Sequence, residues 1–387
     1  MENEKTIMLR EIALQPEFVS SNIDSMLAQM REALAARAPG ALEHCFMIGC
    51  GDSYCAALAA RQFMMKATGK FAEPVEALEF SRYLVDDLPA NSVVFGVSNS
   101  GTVSRTIEGV RLARERGAWT FAVTVSADNK LAQTAETLMH VNAAPNIKEL
   151  SDGSRVVTPG SVTYTASMLG LFVAAIAMGE RIGNIDAAKS KKLVAELHAT
   201  GEAMAAADRP VHALAQEVAD SFTTDRRTVI VGGGPNYATA YFGMAKWFEA
   251  LTRPVHLSQL EEWAHEHYFM TDSKTDTFFL LPPGAGHDRG LEQAQAAREM
   301  GSRVIVIGEV GDAAAKAASD IMFAMPVGMS EALTPFVYKL PFEYLSCEIS
   351  RRQNIAFLGF DNKRRQEINF RQIFNSAESK SAEKQRA

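Results

Sequence analysis

The chain has 387 residues, enough for two domains that each bury a core of their own. Its formal net charge of -7 argues against nucleic acid as the main partner and gives no support for binding to an anionic membrane surface. No run reaches the roughly 18 apolar residues of a membrane span, no apolar signal core opens the chain, and the four cysteines lack the spacing of a metal site. We therefore expect a cytoplasmic protein.

Apolar periodicity predicts alternating strands and helices in the first half of the chain. Residues 1–40 are predicted to be helical, with a break at Gln15 and Pro16. The strands predicted after that are 44–48, 93–97, 119–125 and 139–141, and the helices are 54–67, a short one near 79–84, 129–137 and 161–178. This alternation predicts a parallel sheet with helices on both faces.

The same pattern then recurs at an interval of 183 or 184 positions. Residues 229–237 repeat the pattern of 46–54, residues 278–281 that of 94–97, and residues 303–308 that of 119–123. We interpret these as two copies of one α/β unit, joined by the Ala-rich helical stretch around residues 185–220. The second copy lacks the serines of the first, because its loop 282–286 reads Pro-Pro-Gly-Ala-Gly.

Short polar side chains cluster in the loop after strand 93–97, where an amphipathic helix begins. The hydroxyls of Ser98 and Ser100 can donate to an anion, and Gly101 lets the backbone approach it. The first N–H groups of the helix and its positive dipole end face the same place. The loop therefore predicts a phosphate site, and the alternative is a Ser/Asn cap that only ends the strand.

Two glycine-rich turns raise a dinucleotide alternative. Residues 49–51 (Gly-Cys-Gly) and 232–234 (Gly-Gly-Gly) both follow a strand and open a helix. However, Tyr54 and Tyr237 stand where the third glycine of the G-x-G-x-x-G fingerprint belongs, and no acidic residue ends the next strand. We therefore expect no nucleotide cofactor.

Four short motifs together resemble those of a known family. Residues 8–16 are similar to an M-x-x-E-I-x-x-Q-P entry, residues 49–54 to a C-G-T-S-Y turn, residues 79–80 to an E-F segment and residues 98–101 to an S-Q-S-G loop. These belong to the double sugar-isomerase-domain (SIS) proteins, and in particular to the isomerase half of glucosamine-6-phosphate synthase. The resemblance runs along nearly the whole chain.

The resemblance implies two tandem flavodoxin-like α/β domains followed by a tail. We expect N-terminal helices and SIS domain 1 in residues 1–200, SIS domain 2 in 201–355 and a C-terminal tail in 356–387. Val103 stands where the family has a phosphate-binding threonine, and Thr102 or Ser104 would compensate. The expected phosphate and substrate contacts are Ser53, Ser98, Asn99, Ser100, Gly101, Thr102, Ser104 and Ser161.

The catalytic candidates lie in the second copy. Lys246 and Glu249 are three apart on a predicted helix and so share a face, as do Glu262 and His265 on a helical or turn-like segment. By resemblance, Glu249 is the base that moves a proton between C1 and C2 of a sugar, and Lys246 precedes it by one turn. His265 resembles the residue that assists ring opening from the neighbouring subunit, with Glu262 supporting it, which implies a homodimer with a shared active site.

Simpler alternatives exist for these residues. The lysine and glutamate would form a surface pair on an amphipathic helix, and the histidine would be buried and satisfied. A zinc site of Glu262, His265 and His267 is disfavoured because residues two apart on a helix do not face one another and no further ligand is evident. We therefore expect no metal.

Three departures limit the resemblance. Residues 266–267 are Glu-His where the family has Gly-Pro, which reshapes the pocket wall. Ile368 occupies the tail position of the family's Schiff-base lysine, and the nearest lysine, Lys363, does not align with it. A glutamine-hydrolysing domain is not expected, so amide-derived ammonia would not arise within this polypeptide.

The sequence therefore predicts an enzyme of the phosphosugar isomerase class. It would move a proton between C1 and C2 of an open-chain 6-phosphorylated sugar or amino sugar, by aldose–ketose isomerisation or deamination. The alternatives are a deglycase of 6-phosphorylated sugar–amino acid adducts and a sugar-phosphate sensor without turnover. Residues 369–374 are expected to fold over the pocket, and residues 376–387 to be disordered.

Overall fold

The computed structural model describes residues 4–36, 42–143, 147–149 and 155–377. Its strands are β1 (His44–Gly49), β2 (Ala72–Glu76), β3 (Ser92–Val97), β4 (Trp119–Thr124), β5 (Thr137–His140), β6 (Ile147–Glu149), β7 (Arg155–Val157), β8 (Arg227–Gly232), β9 (His256–Gln259), β10 (Thr275–Leu281), β11 (Arg303–Glu309) and β12 (Ile321–Met325). Its helices are α1 (Glu4–Ala35), α2 (Asp52–Thr68), α3 (Ala77–Glu79), α4 (Ser104–Glu115), α5 (Lys130–Thr134), α6 (Val162–Ile182), α7 (Ala187–Val218), α8 (Asn236–Leu251), α9 (Leu260–His265), α10 (His287–Glu299), α11 (Ala313–Ala317), α12 (Pro335–Tyr338), α13 (Leu340–Gln353) and α14 (Lys363–Phe374).

Two five-stranded parallel sheets dominate the fold. The front copy has the strand order β2-β1-β3-β4-β5, and the rear copy has β9-β8-β10-β11-β12. Corresponding strands occupy corresponding places, which confirms the predicted repeat and the tandem α/β fold. Every residue of β3, β4 and β10 is buried, as expected for parallel strands covered on both faces. Strands β6 and β7 form a separate antiparallel pair.

Long helices join the two copies. The linker predicted around residues 185–220 is α7, which packs against α1 and α13. The boundary expected between residues 200 and 201 lies inside this helix, so the division into 1–200, 201–355 and 356–387 remains a proposal. Helix α6 is long and apolar enough to cross a membrane by length and composition, and its most apolar window is entirely buried within the structure.

The predicted break at Pro16 is wrong, because α1 runs unbroken through it. A proline inside a helix has no N–H to donate to the carbonyl four residues earlier, which here belongs to Ile12. The side-chain amide of Gln15 donates to that carbonyl instead, at 3.2 Å. The carbonyl is therefore satisfied and the helix continues.

Strands β2, β6, β7, β9 and β12 were not predicted. Strand β2 contains Pro74 and pairs only with β1, at the edge of its sheet. A proline is tolerated in an edge strand because its missing N–H need not serve a second neighbour. Most of the segment expected to be disordered, residues 378–387, lies outside the described residues.

Candidate functional site

The front crevice lies where β1 and β3 end, between residues 50–53 and 98–103. Strand order reverses at this point of the sheet, since β2 lies beyond β1 and β4 beyond β3, and such points are where open α/β sheets bind ligands. The two helices that begin here, α2 and α4, have no side-chain cap at their N-termini. By contrast, Asn129, Asp186 and Asn362 cap α5, α7 and α14. The crevice helices thus keep backbone N–H groups for an anion.

The serine loop has the tight geometry that an anion site needs. Gly101 has φ +64°, and a Cβ there would come within 2.0 Å of the Asn129 side chain, so only glycine fits. Its N–H donates to the hydroxyl of the buried Ser98 at 3.2 Å. The Ser100 and Thr102 hydroxyls share a hydrogen bond of 2.9 Å. The structure thus brings the loop residues predicted for phosphate binding together at one helix end.

Unpartnered polar atoms also lie around the crevice. Among the described residues, the side-chain nitrogen of Asn99 and the hydroxyl of Ser161 are buried without a hydrogen-bond partner. Ser53 lies in the first turn of α2, and Ser104 is the first residue of α4. Buried polar groups without partners are uncommon in folded proteins, so these two atoms are available to a polar ligand.

A fully buried lysine joins the two copies. The Lys246 ammonium donates to Asp52 Oδ2 at 2.9 Å, to the Gly160 carbonyl at 3.2 Å and to the Glu249 carboxylate. It also lies over the Phe242 ring, 4.6 Å from its centre. Asp52 begins α2 at the front crevice, whereas Lys246 and Glu249 belong to α8 of the rear copy. Because Lys246 is buried, the alternative of an exposed Lys/Glu pair on the helix surface does not hold for it.

The electrostatics of this cluster favour proton transfer by Glu249. Burial raises the pKa of Glu249 to about 7; the Asp52 carboxylate adds to the rise and the Lys246 ammonium opposes it. Burial alone would lower the pKa of Lys246, but the two carboxylates outweigh it and the pKa is raised. At neutral pH, Lys246 is therefore charged, while Glu249 can both accept and release a proton.

Glu249 lines an open cavity of about 490 Å³, and residues of the C-terminal tail form one of its walls. The cavity is lined by Phe248, Glu249, Thr252, Arg253, Pro254, Leu358, Phe360, Arg365, Ile368, Asn369 and Gln372. Ile368, which by the resemblance stands at the tail position of the family's Schiff-base lysine, lines the same cavity as Glu249. The tail continues to α4, where the Arg105 guanidinium donates to the carbonyls of Ser376 and Ala377 at 3.2 and 2.9 Å.

His265 and Glu262 are not part of this cluster within one chain. Both are exposed on α9, and the side chain of His265 is 68% exposed. Its ring lies 3.6 Å from the Glu261 carboxylate, and neither residue lines the Glu249 cavity. The prediction of a buried, satisfied histidine does not apply to His265.

Sequence reasoning missed several residues of the site. Asp52 was passed over although it stands where the C-G-T-S-Y turn has threonine, and this acidic residue at a helix start was the available signal. The buried Glu108 on α4 was also missed. It pairs with both Arg82 and Arg105, which places a net positive charge behind the serine loop. Nothing in the local pattern marked that triad.

Comparison with known proteins bears on this arrangement. Residues 42–173 match the profile of the SIS domain. This part of the chain is an SIS domain. It contains the serine loop and most of α6. The fold likeness to a solved structure covers 90% of this chain and so includes the rear copy as well.

Known proteins are similar to this chain along most of its length. A glutamine–fructose-6-phosphate aminotransferase (isomerizing) of Gloeobacter violaceus is 23% identical over 352 residues, covering 90% of this chain and 56% of that protein. The chain thus spans about half the length of the curated relatives it matches.

Two solved structures share the tandem SIS fold. The C-terminal domain of the glucosamine-fructose-6-phosphate aminotransferase of Francisella tularensis has a TM-score of 0.78 at 18% identity, covering 90% of this chain and 97% of that one. The tagatose-6-phosphate ketose/aldose isomerase of Escherichia coli has a TM-score of 0.72 at 14% identity, covering 92% and 95%.

Proposed function

We propose that this chain is a phosphosugar enzyme that moves a proton between C1 and C2 of an open-chain 6-phosphorylated sugar or amino sugar. One observation carries the proposal: Lys246 spans from Asp52 at the front crevice to Glu249, whose pKa lies near neutrality. The names of the similar proteins, an isomerizing aminotransferase and a ketose/aldose isomerase, support the same class of reaction.

The residues divide the reaction between them. The serine loop and the uncapped ends of α2 and α4 hold the phosphate, with Ser53, Ser98, Asn99 and Ser100 as donors. Glu249 removes the proton from the carbon beside the carbonyl; the C–H electron pair forms the C=C bond of an enediol as the carbonyl oxygen is protonated. Glu249 then returns the proton to the other carbon, while the hydroxyl on the first carbon gives up its proton and becomes the new carbonyl, so that one proton is taken up and one is released at oxygen. Lys246 holds the side chain of Glu249 in position. The positive charge of the lysine also favours the ionised form of the Glu249 carboxylate, so that a fraction of it is ionised at neutral pH.

His265 acts from a second copy of the chain in this proposal. Its exposure on α9 leaves it available to the active site of a neighbouring subunit, where its imidazole would protonate the ring oxygen during ring opening. The enzyme would thus be a homodimer of the cytoplasm whose two active sites each need both chains.

A second candidate reaction is deglycation of a 6-phosphorylated sugar–amino acid adduct. Two residues of the Glu249 cavity favour it. Ile368 supplies no amine at the tail position, and Arg365 lines the cavity without an ion pair among the described residues, so it could bind the carboxylate of an amino acid. The same C1/C2 proton transfer would convert the adduct into an imine, to which water adds as the amine leaves.

The decisive experiment measures proton exchange. Purified protein is incubated in D₂O with 6-phosphorylated ketoses, amino sugars and sugar–amino acid adducts, and NMR follows deuterium uptake at C1 and C2 together with product formation. Glu249→Gln should retain binding and lose about 10²–10⁴-fold in rate, because only the proton acceptor is removed. Glu202→Gln, an exposed position on α7, is the matched control. Binding without exchange by the unaltered protein would instead identify a sensor.

A mixing experiment tests the shared site. Glu249→Gln and His265→Ala should each be inactive alone. Mixed in equal amounts and allowed to exchange subunits, they should recover about a quarter of the native activity, because half of the dimers are mixed and each mixed dimer has one complete site of two. Stable mixed dimers without activity would show that both residues act within one chain.

A further inference from the structure

The rear copy has a crevice in the same topological place as the front one. Strands β8 and β10 end beside residues 233–235 and 282–286, and a cavity of about 670 Å³ opens above them. In the repeat, loop 282–286 corresponds to the serine loop, with Gly284 in the place of Ser100. Helix α10 begins directly after it without a side-chain cap, as α4 does in the front copy.

A carboxylate of the chain itself fills the anion position of this rear crevice. The N–H of Ala285 donates to Glu331 Oε2 at 3.3 Å. A Cβ on Gly284 would come within 2.3 Å of the Glu331 carboxylate, so the missing side chain at this loop position is what makes room for it. On the opposite wall, a Cβ on Gly234 would lie 3.3 Å from the other carboxylate oxygen.

Glu331 is held in this position by its backbone. It opens a short 3₁₀ turn over 331–333, and its carbonyl accepts a hydrogen bond of 2.7 Å from the Thr334 hydroxyl. That hydroxyl in turn accepts from the buried side-chain amide of Asn236, the first residue of α8. No ion pair neutralises Glu331 within the part of the chain that the structure describes. Its counter-charge is the N-terminal end of α10 and the loop amide.

We propose that Glu331 is a specificity-determining residue that occupies the phosphate position of the rear crevice. The repeat has kept two crevices, but a second anion would meet a fixed carboxylate at van der Waals distance. The chain therefore takes one phosphorylated ligand, in the front crevice. The comparison between the crevices rests on the proposed function, whereas the exclusion of anions from the rear crevice does not.

The test counts bound ligand. Equilibrium dialysis with ³²P-labelled fructose 6-phosphate as the probe should give one equivalent per chain for the native protein and two for Glu331→Ala. Glu331→Gln should remain at one, because its amide fills the same space and its oxygen can still accept from Ala285. Two equivalents for the native protein, or no gain over the native value for folded Glu331→Ala, would overturn the proposal.

Two further variants keep the test decisive. Gly284→Ser places a serine where the front loop has one and displaces the Glu331 carboxylate, so this variant should also bind a second equivalent. It serves as the test if Glu331→Ala does not fold. Ser98→Ala combined with Ser100→Ala removes the front hydroxyls. If the front crevice is not a phosphate site, this double variant changes nothing and the native protein binds no equivalent, yet Glu331→Ala still gains its own. The two failures are therefore distinguishable.

Discussion

Replacing Lys246 by methionine tests the link between the front crevice and Glu249, the proposed catalytic base. The substitution keeps the length of the side chain and removes a fully buried ammonium that serves Asp52 and Glu249. Removing one partner of a buried ion pair costs about 3–5 kcal/mol. Here the two carboxylates are 22% and 28% exposed, so hydration and protonation offset part of that loss, and we expect about 2–3 kcal/mol in the free energy of unfolding.

The effect on the pH profile is more specific. The proposed base, Glu249, can accept a proton only when ionised, so the rate should rise with pH through its pKa of about 7. Lys246 opposes that raised pKa, and an opposite charge at such range lowers a carboxyl pKa by about 1–3 units. Its removal should therefore move the acidic limb of the rate profile to higher pH by about 1–3 units.

The assay compares rate profiles with urea unfolding curves. Lys339→Met is the matched control: Lys339 is also fully buried, pairs with Glu343 and lies 5.9 Å from the same Phe242 ring. It should lower stability while leaving the acidic limb close to its native position, because its partner is not the proposed base. The electrostatic reasoning would be refuted if folded Lys246→Met kept the acidic limb of its pH–rate profile at the native position, or if that limb shifted equally in Lys339→Met.

Two further predictions concern the front crevice and the tail. Gly101→Ala should abolish phosphosugar binding in a binding titration, because the new methyl group meets a fixed side chain, whereas Gly117→Ala, also at positive φ but with nothing within 4 Å, should cost only about 1–2 kcal/mol of stability. Arg105→Gln should expose the tail to limited proteolysis and raise KM, because the variant loses the hydrogen bonds from Arg105 to the carbonyls of Ser376 and Ala377. Arg114→Gln, on the same helix but bound to the Thr134 carbonyl, should do neither, and equal cleavage of both variants would contradict the contact.

The sheets and their repeat could be predicted because their signals are local. Buried parallel strands are continuous apolar runs, and a repeated unit shows the same runs at a fixed interval. The misjudged positions depend on partners that the pattern does not encode. Pro16 looks like a helix break until the Gln15 amide is seen to satisfy the freed carbonyl. Pro74 looks unsuited to a strand until β2 is placed at a sheet edge.

The same distinction between local signals and distant partners applies to the candidate site. The serine loop could be predicted since its residues adjoin one another at a helix start, and Lys246 with Glu249 since they share one turn. For Asp52 the sequence offered only an acidic residue at a helix start, and its contact with a lysine 194 positions away in the other copy is seen only in the folded chain. Glu331 likewise lies in no periodic segment, and only the folded chain brings it against Gly284.

The two crevices suggest why duplication of the unit gives one active site and not two. A helix end and a glycine-bearing loop leave positive charge that some anion must balance. In the rear copy the Glu331 carboxylate, which accepts from the Ala285 N–H, supplies that balance from within the chain. In the front copy no side chain caps α2 or α4, so that balance is left to a ligand that comes and goes. Lys246 hydrogen-bonds both Asp52 of the front crevice and Glu249 of the rear copy, and in the proposed mechanism this contact couples binding in one half to proton transfer by the other.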